Sequence, residues 1–216
     1  MTLPGAQAQA LQHPRADTAR SVIHPAWVRL THWINVLAMF VMIGSGWRIY
    51  NASPLFPFRF PPAVTIGDSF DGLPGALLWH FAAMWLFIAN GIVYVTLGVV
   101  SGRFRRKLLP IYPTAVARDL AAALTGRLSH KDLSVYNSVQ RLLYVGVIAA
   151  GVLMVLSGIS IWKPVQFQEL AAVFGGYDFA RYVHFFAMSA IVAFLFVHVM
   201  LAIIVPKSLL AIIRGR

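Results

Sequence analysis

Four stretches of this chain run with almost no charge, at about residues 30–49, 76–99, 142–162 and 183–205, and between them the sequence turns abruptly polar or rich in proline. An α-helix rises about 1.5 Å per residue, so each stretch can cross roughly 30 Å of hydrocarbon. The pattern predicts an all-α integral membrane protein, a four-helix bundle running up-down-up-down. Residues 1–22 are polar, contain no apolar core of signal-peptide length, and read as a cytoplasmic tail ahead of a membrane domain over 23–216.

The connections have characters of their own. After the first span, NASPLFPFRFPPAVTIGDSFDGLPG reads as an irregular segment at the outer interface. The connection after the second span opens with the basic run Arg103 to Lys107. Within it, Thr114 is predicted to cap a short surface helix, AVARDLAAAL, with Arg118 toward the headgroups. Pro164 stops the third span, and QFQELAAVFGG predicts one or two helical turns that Gly175 and Gly176 end. No repeat of solenoid period is present.

Composition agrees with the pattern, since 59% of residues are hydrophobic and 12% charged. The formal charge of +11 raises the question of nucleic acid, which its distribution excludes. Of 18 Lys and Arg residues, only Arg48, Arg59, Lys163 and Arg181 lie by the loops after spans one and three; the other 14 lie in the first segment, the middle connection and the tail. That asymmetry places both termini in the cytoplasm. The acidic residues Asp68, Asp71, Glu169 and Asp178 all fall in outer loops, so no intramembrane carboxylate supports a transporter. The absence of cysteine excludes disulfides, thiolate-bound iron–sulfur clusters and covalently attached haem.

Of seven histidines, His32, His80, His184 and His198 fall in the spans, while His13, His24 and His130 do not. An ionisable group in hydrocarbon is paired, ligated or facing a cavity. Taken singly, each also reads as an interhelical hydrogen-bonding residue. Their joint placement points further. His184 and His198 are 14 residues apart on one span, which is within roughly 40° of whole turns and about 21 Å of rise. With the amino terminus inside, His32 shares the depth of His198, and His80 that of His184. Two facing imidazoles without acid or thiol neighbours suit axial ligation of a haem iron better than tetrahedral zinc. Gly46, 14 residues after His32, Gly44 and Gly158 toward the outer side, and Gly91, 11 residues after His80, offer room for a porphyrin, or simply close helix packing. Arg29 and Arg181 each precede a span histidine by three residues, placing a guanidinium where it reaches a haem propionate or snorkels to the interface.

RLTHW, GSGW, WHF with the later Asn90 and Gly91, SGRFRRKLLP, YNSVQRLLY and the paired histidines of the last span together resemble bacterial di-haem cytochrome b subunits over about residues 24–210. These are the membrane subunits of nickel–iron hydrogenases, formate dehydrogenase and thiosulfate reductase, related to bacterial cytochrome b561. The resemblance implies two non-covalent haems b in a bacterial inner membrane, His32 and His198 ligating the cytoplasmic one and His80 and His184 the periplasmic one. It implies electron exchange between a quinone pool and a periplasmic redox subunit, with SGRFRRKLLP and YNSVQRLLY most like partners of a molybdopterin oxidoreductase. The alternative is a stand-alone cytochrome b561-like oxidoreductase passing electrons from superoxide or another small donor to quinone. A quinone site is expected by the cytoplasmic haem, where Asn35, Trp33, His24 and Arg29 offer stacking and hydrogen bonds.

The charge asymmetry can be tested alone. A reporter active only outside the cytoplasm should be silent when fused after Lys107 or Arg216 and active after Phe60; the opposite pattern would invert the topology.

Overall fold

The structure, a computed structural model, describes residues 23–67, 73–125 and 136–215. The tail over 1–22 lies outside them, as do His13, His130, Asp68 and Asp71. Four long helices carry the predicted spans: α1 (Ala26–Ala52), α2 (Leu73–Val100), α5 (Ser138–Trp162) and α7 (Tyr177–Ile204). Short helices join or follow them: α3 (Arg103–Lys107), α4 (Pro113–Leu124), α6 (Gln168–Val173) and α8 (Pro206–Arg214). No strand occurs among the described residues, and the bundle is all-α as the pattern requires.

The long helices mostly outrun the apolar stretches by a few residues because hydropathy marks only the part in hydrocarbon, whereas the backbone ladder continues through the headgroups. Local signals set the true ends. Asn137 and Gln140 form a reciprocal capping box at the start of α5 (2.8 and 3.1 Å). Gly175 and Gly176, at φ of 83° and 97°, turn the chain between α6 and α7. Thr114 does not cap α4, because Pro113 already occupies its first position, where a missing N–H costs nothing. Pro206 similarly ends α7 and opens α8, an amphipathic helix in what reads from the sequence as a plain basic tail.

Packing divides the bundle in two. α1 lies along α2 and α5 along α7 as antiparallel hairpins, and the backbone of one hairpin seldom approaches that of the other. Within the hairpins most buried positions are small, among them Ala38, Gly44 and Ser45 on α1, Ala76 and Ala83 on α2, Gly151, Ser157 and Ser160 on α5, and Ala180 and Ala187 on α7, with Met84 and Ile191 the larger exceptions. Leu30, Phe40, Leu78 and Phe196 point outward. That is the economy of a membrane bundle, in which close backbone approach replaces an apolar core.

The hairpins are bridged at their ends. On the outer side Tyr50, Phe56, Phe58 and Phe60 stack on one another, and the first three also on Phe185 of α7 (5.2–6.3 Å). Asn51 pins this irregular segment to the end of α1 through two bonds to Phe60, each 2.8 Å. On the inner side the N–H groups of Ile23 and His24 reach the Gly215 carbonyl (3.0 and 3.3 Å), and Arg29 Nη1 donates to Ile213 O at 3.0 Å.

A polar residue of α2 ties it to α1 near the level of His32. Asn90 Nδ2 donates to Thr31 O at 2.9 Å and to Asn35 Oδ1 at 2.6 Å. Asn90→Leu should therefore lower stability in detergent unfolding by roughly 0.6–1.7 kcal/mol, the range of such intramembrane bonds. A variant as stable as the parent would mean that the bond is replaced at no cost.

Candidate functional site

Between the hairpins, toward the outer face, lies a cavity of about 290 Å³ lined from all four long helices. His80 of α2 and His184 of α7 both line it. Each ring is held by the opposite helix of its own hairpin. Ser45 Oγ of α1 is 3.1 Å from His80 Nδ1, and Ser157 Oγ of α5 is 3.0 Å from His184 Nδ1. The next residue in each case is a glycine under the ring edge. A Cβ on Gly46 would stand 3.4 Å from His80 Cε1, and one on Gly158 would stand 3.2 Å from His184 Cε1. The two hairpins thus present the same Ser-Gly and histidine arrangement to one cavity. The sequence signal was present as GSGW and LSGIS, but only the glycines stand out without the partner rings.

Other expected residues divide. Arg181 lines the cavity beside His184 while Nη2 donates to the Ser53 carbonyl and hydroxyl. Gly91 has nothing within 4 Å of where a Cβ would lie, and the same holds for Gly146 of α5, which the sequence reading passed over. Gly44 serves a different purpose. A Cβ there would stand 2.7 Å from the Ile66 side chain, so its bareness seats the outer loop and not a cofactor.

At the inner level His32 and His198 face each other with ring centroids 6.2 Å apart at 63°. Trp33 sets its edge on His32 at 5.3 Å, and Phe194 stacks on His198 at 5.5 Å. Asn35, expected beside a quinone, accepts from Asn90 Nδ2 through its Oδ1. His24 lies near this level, half-buried, with Arg103 Nη2 3.4 Å from Nδ1. Burial, and then the Arg103 guanidinium, lower its pKa to about 4. Arg103 also donates to Ile23 O at 3.2 Å and bonds Tyr136, whose phenol burial pushes up. Tyr136 in turn packs on Tyr144 at 5.1 Å. This Arg103 cluster was invisible in sequence because its members come from three separate segments, before α1, at α3 and at the start of α5.

Two buried side-chain nitrogens have no partner among the described residues, Arg29 Nε and Trp47 Nε1. The first lies three residues before His32 and the second directly after Gly46. No group of three or more His, Cys, Asp or Glu converges among the described residues. Paired imidazoles without a third such side chain suit a metal whose other positions a macrocycle fills.

Comparison with known proteins follows the same lines. The family described as prokaryotic cytochrome b561 matches residues 23–215. The YedZ1 protein of Azospira oryzae, named for a subunit of a protein-methionine-sulfoxide reductase, is 51% identical over 193 residues, covering 89% of this chain and 96% of the relative.

The low pKa of His24 has a consequence for stability. Between its folded value of about 4 and the usual 6.5, the unfolded chain takes up a proton that the folded chain refuses. The contribution is therefore intact above pH 6.5 and lost as pH falls toward 4. Thermal unfolding midpoints should drop from pH 7 to pH 5 in the parent and drop less in His24→Asn; equal drops would discount His24.

Proposed function

The chain belongs to the prokaryotic cytochrome b561 family, and from that premise we propose that it is a di-haem b subunit passing electrons between a quinone pool and a periplasmic redox partner. It is a multi-pass bacterial inner-membrane protein of electron transfer that binds haem b. The finer reading assigns His32 and His198 to an inner haem and His80 and His184 to an outer one.

The observation that carries this reading is the separation of the inner rings. A haem iron at this level would be held by one imidazole from each hairpin, which needs the two rings to face each other across the join. His32 and His198 stand at 6.2 Å. The outer pair is supported by the cavity that it lines, by the bare edges at Gly46 and Gly158, and by its position 14 residues along α7 from the inner pair. The unpartnered Arg29 Nε and the cavity-lining Arg181 suit the carboxylates of a porphyrin, one near each pair. When bound, haem supplies one-electron chemistry, and the protein sets its position, ligands and electrostatics.

The remaining residues divide the labour. α1, α2, α5 and α7 hold the two pairs at about 21 Å of helix rise from one another. On the inner face the neutral His24 imidazole and the Arg103 guanidinium provide hydrogen-bonding groups for a quinone beside His32, and Asn35, whose Oδ1 accepts from Asn90, keeps its amide nitrogen as a further donor. On the outer face the Phe-rich loop after α1 and the turn around α6 form the surface for a periplasmic partner. The name of the Azospira relative supports a sulfoxide-reducing enzyme as that partner, and the likeness of SGRFRRKLLP and YNSVQRLLY supports its being a molybdopterin oxidoreductase.

Purified protein should hold two haems b per chain with low-spin bis-histidine spectra. His198→Ala should remove the inner haem and His184→Ala the outer, and only the former should abolish reduction by quinol. Retention of both haems with unaltered spectra in either variant would refute the assignment.

A further inference from the structure

We propose that Ser45 and Ser157 are positioning residues that fix the proton on Nδ1 of His80 and His184, leaving Nε2 as the ligating nitrogen and strengthening it as a donor. The inference rests on the reading of His80 and His184 as haem ligands and goes beyond it, to what sets the character of the outer haem.

The proton assignment follows from counting donors. A serine hydroxyl carries one hydrogen. Ser45 Oγ lies 2.6 Å from the Val41 carbonyl, which can only accept, so the hydrogen is spent there. Toward His80 Nδ1, at 3.1 Å, the oxygen can then only accept, and Nδ1 must carry a hydrogen. The Met42 carbonyl is a further acceptor for the same ring. α5 repeats the arrangement. Ser157 Oγ spends its hydrogen on Leu153 O at 2.7 Å and faces His184 Nδ1 at 3.0 Å, with the Met154 carbonyl as the second acceptor. Both serines are fully buried, so no water competes for their oxygens.

The Ser-Gly dipeptide then acts as a two-point seat. The hydroxyl takes Nδ1, and the bare glycine lets Cε1 of the same ring approach the helix. A neutral imidazole has one lone-pair nitrogen, and a hydrogen bond from its other nitrogen fixes which one and raises its basicity. The stronger donor favours the oxidised metal. The inner pair provides an internal contrast. Among the described residues no side-chain hydrogen bond reaches His32 or His198, whose rings lie against Trp33 and Phe194 instead.

The test uses the full-length protein in mild detergent, with the two haems told apart by the His184→Ala and His198→Ala variants. Potentiometric titration of Ser45→Ala, Ser157→Ala and the double variant should show the outer haem's midpoint raised and the inner unchanged. The double change should reach about a tenfold shift in the reduced-to-oxidised ratio, about 59 mV for one electron. The low-spin EPR signal of the outer haem should move with it, and Ser157→Thr, which keeps the hydroxyl, should stay close to the parent. If the double variant binds haem less well, loss confined to the outer haem supports the role. Unchanged potentials and spectra with both haems retained, equal shifts in both haems, or loss of both would overturn it. A parent protein lacking two haems would instead refute the di-haem reading, a result distinct from these.

Discussion

A polar atom carried into hydrocarbon must find its partner inside the protein, and most of this structure follows from how few partners the spans supply. The hydroxyls solve the problem locally. Thr31, Ser45, Ser157, Ser160 and Ser189 each donate to the carbonyl four residues back. Asn90 needs a second helix and finds Thr31 and Asn35 on α1. The imidazoles are too large for either solution. Two of them borrow the spare acceptor capacity of serine oxygens already satisfied as donors, and all four turn toward the space between the hairpins.

That space exists because the backbones of the two hairpins seldom approach each other, and side chains rather than close helix packing span the gap. Small residues let α1 close on α2 and α5 on α7, where association depends on contact geometry because lipid is as apolar as leucine. Between the pairs large side chains meet toward the outer side, where Phe81 and Trp85 of α2 pack on Trp162 of α5, and these contacts join the aromatic bridge to Phe185 and the inner Gly215 contacts in setting the spacing. The outer histidines depend on this arrangement most directly, each standing opposite a helix of its own hairpin while facing the other across the cavity. Electrostatics adds a difference between the faces. The inner side gathers Arg29, Arg103 and the half-buried His24, held neutral by its surroundings, whereas the outer side offers Arg181 near the cavity.

The spans, their order and the two histidine depths were legible in the sequence because they depend on regular periodicities, apolar run length and helical rise. Gly46 and Gly158 were legible for the same reason, as phases on a helix. Gly44 was not, because its neighbour Ile66 comes from a loop whose path no periodicity predicts. Asn35 reads as a free polar group until Asn90 is placed against it. Ser45 and Ser157 were missed because a serine in an apolar helix normally spends itself on its own backbone, and these do that as well. The amphipathic α8 escaped notice since nine residues of mixed character after a proline resemble a tail until they meet the start of α1.

The two-hairpin construction also bears on how such a protein comes to exist. Each hairpin can enter the bilayer and close on its own, since its packing residues are internal to it. Each imidazole pair draws one ring from each hairpin, so a cofactor held between them would act as a ligature, adding its binding free energy to the contacts at the ends. A chain without its cofactor would keep only the side-chain contacts between its hairpins, so the whole bundle would be held together more firmly once the cofactor is bound.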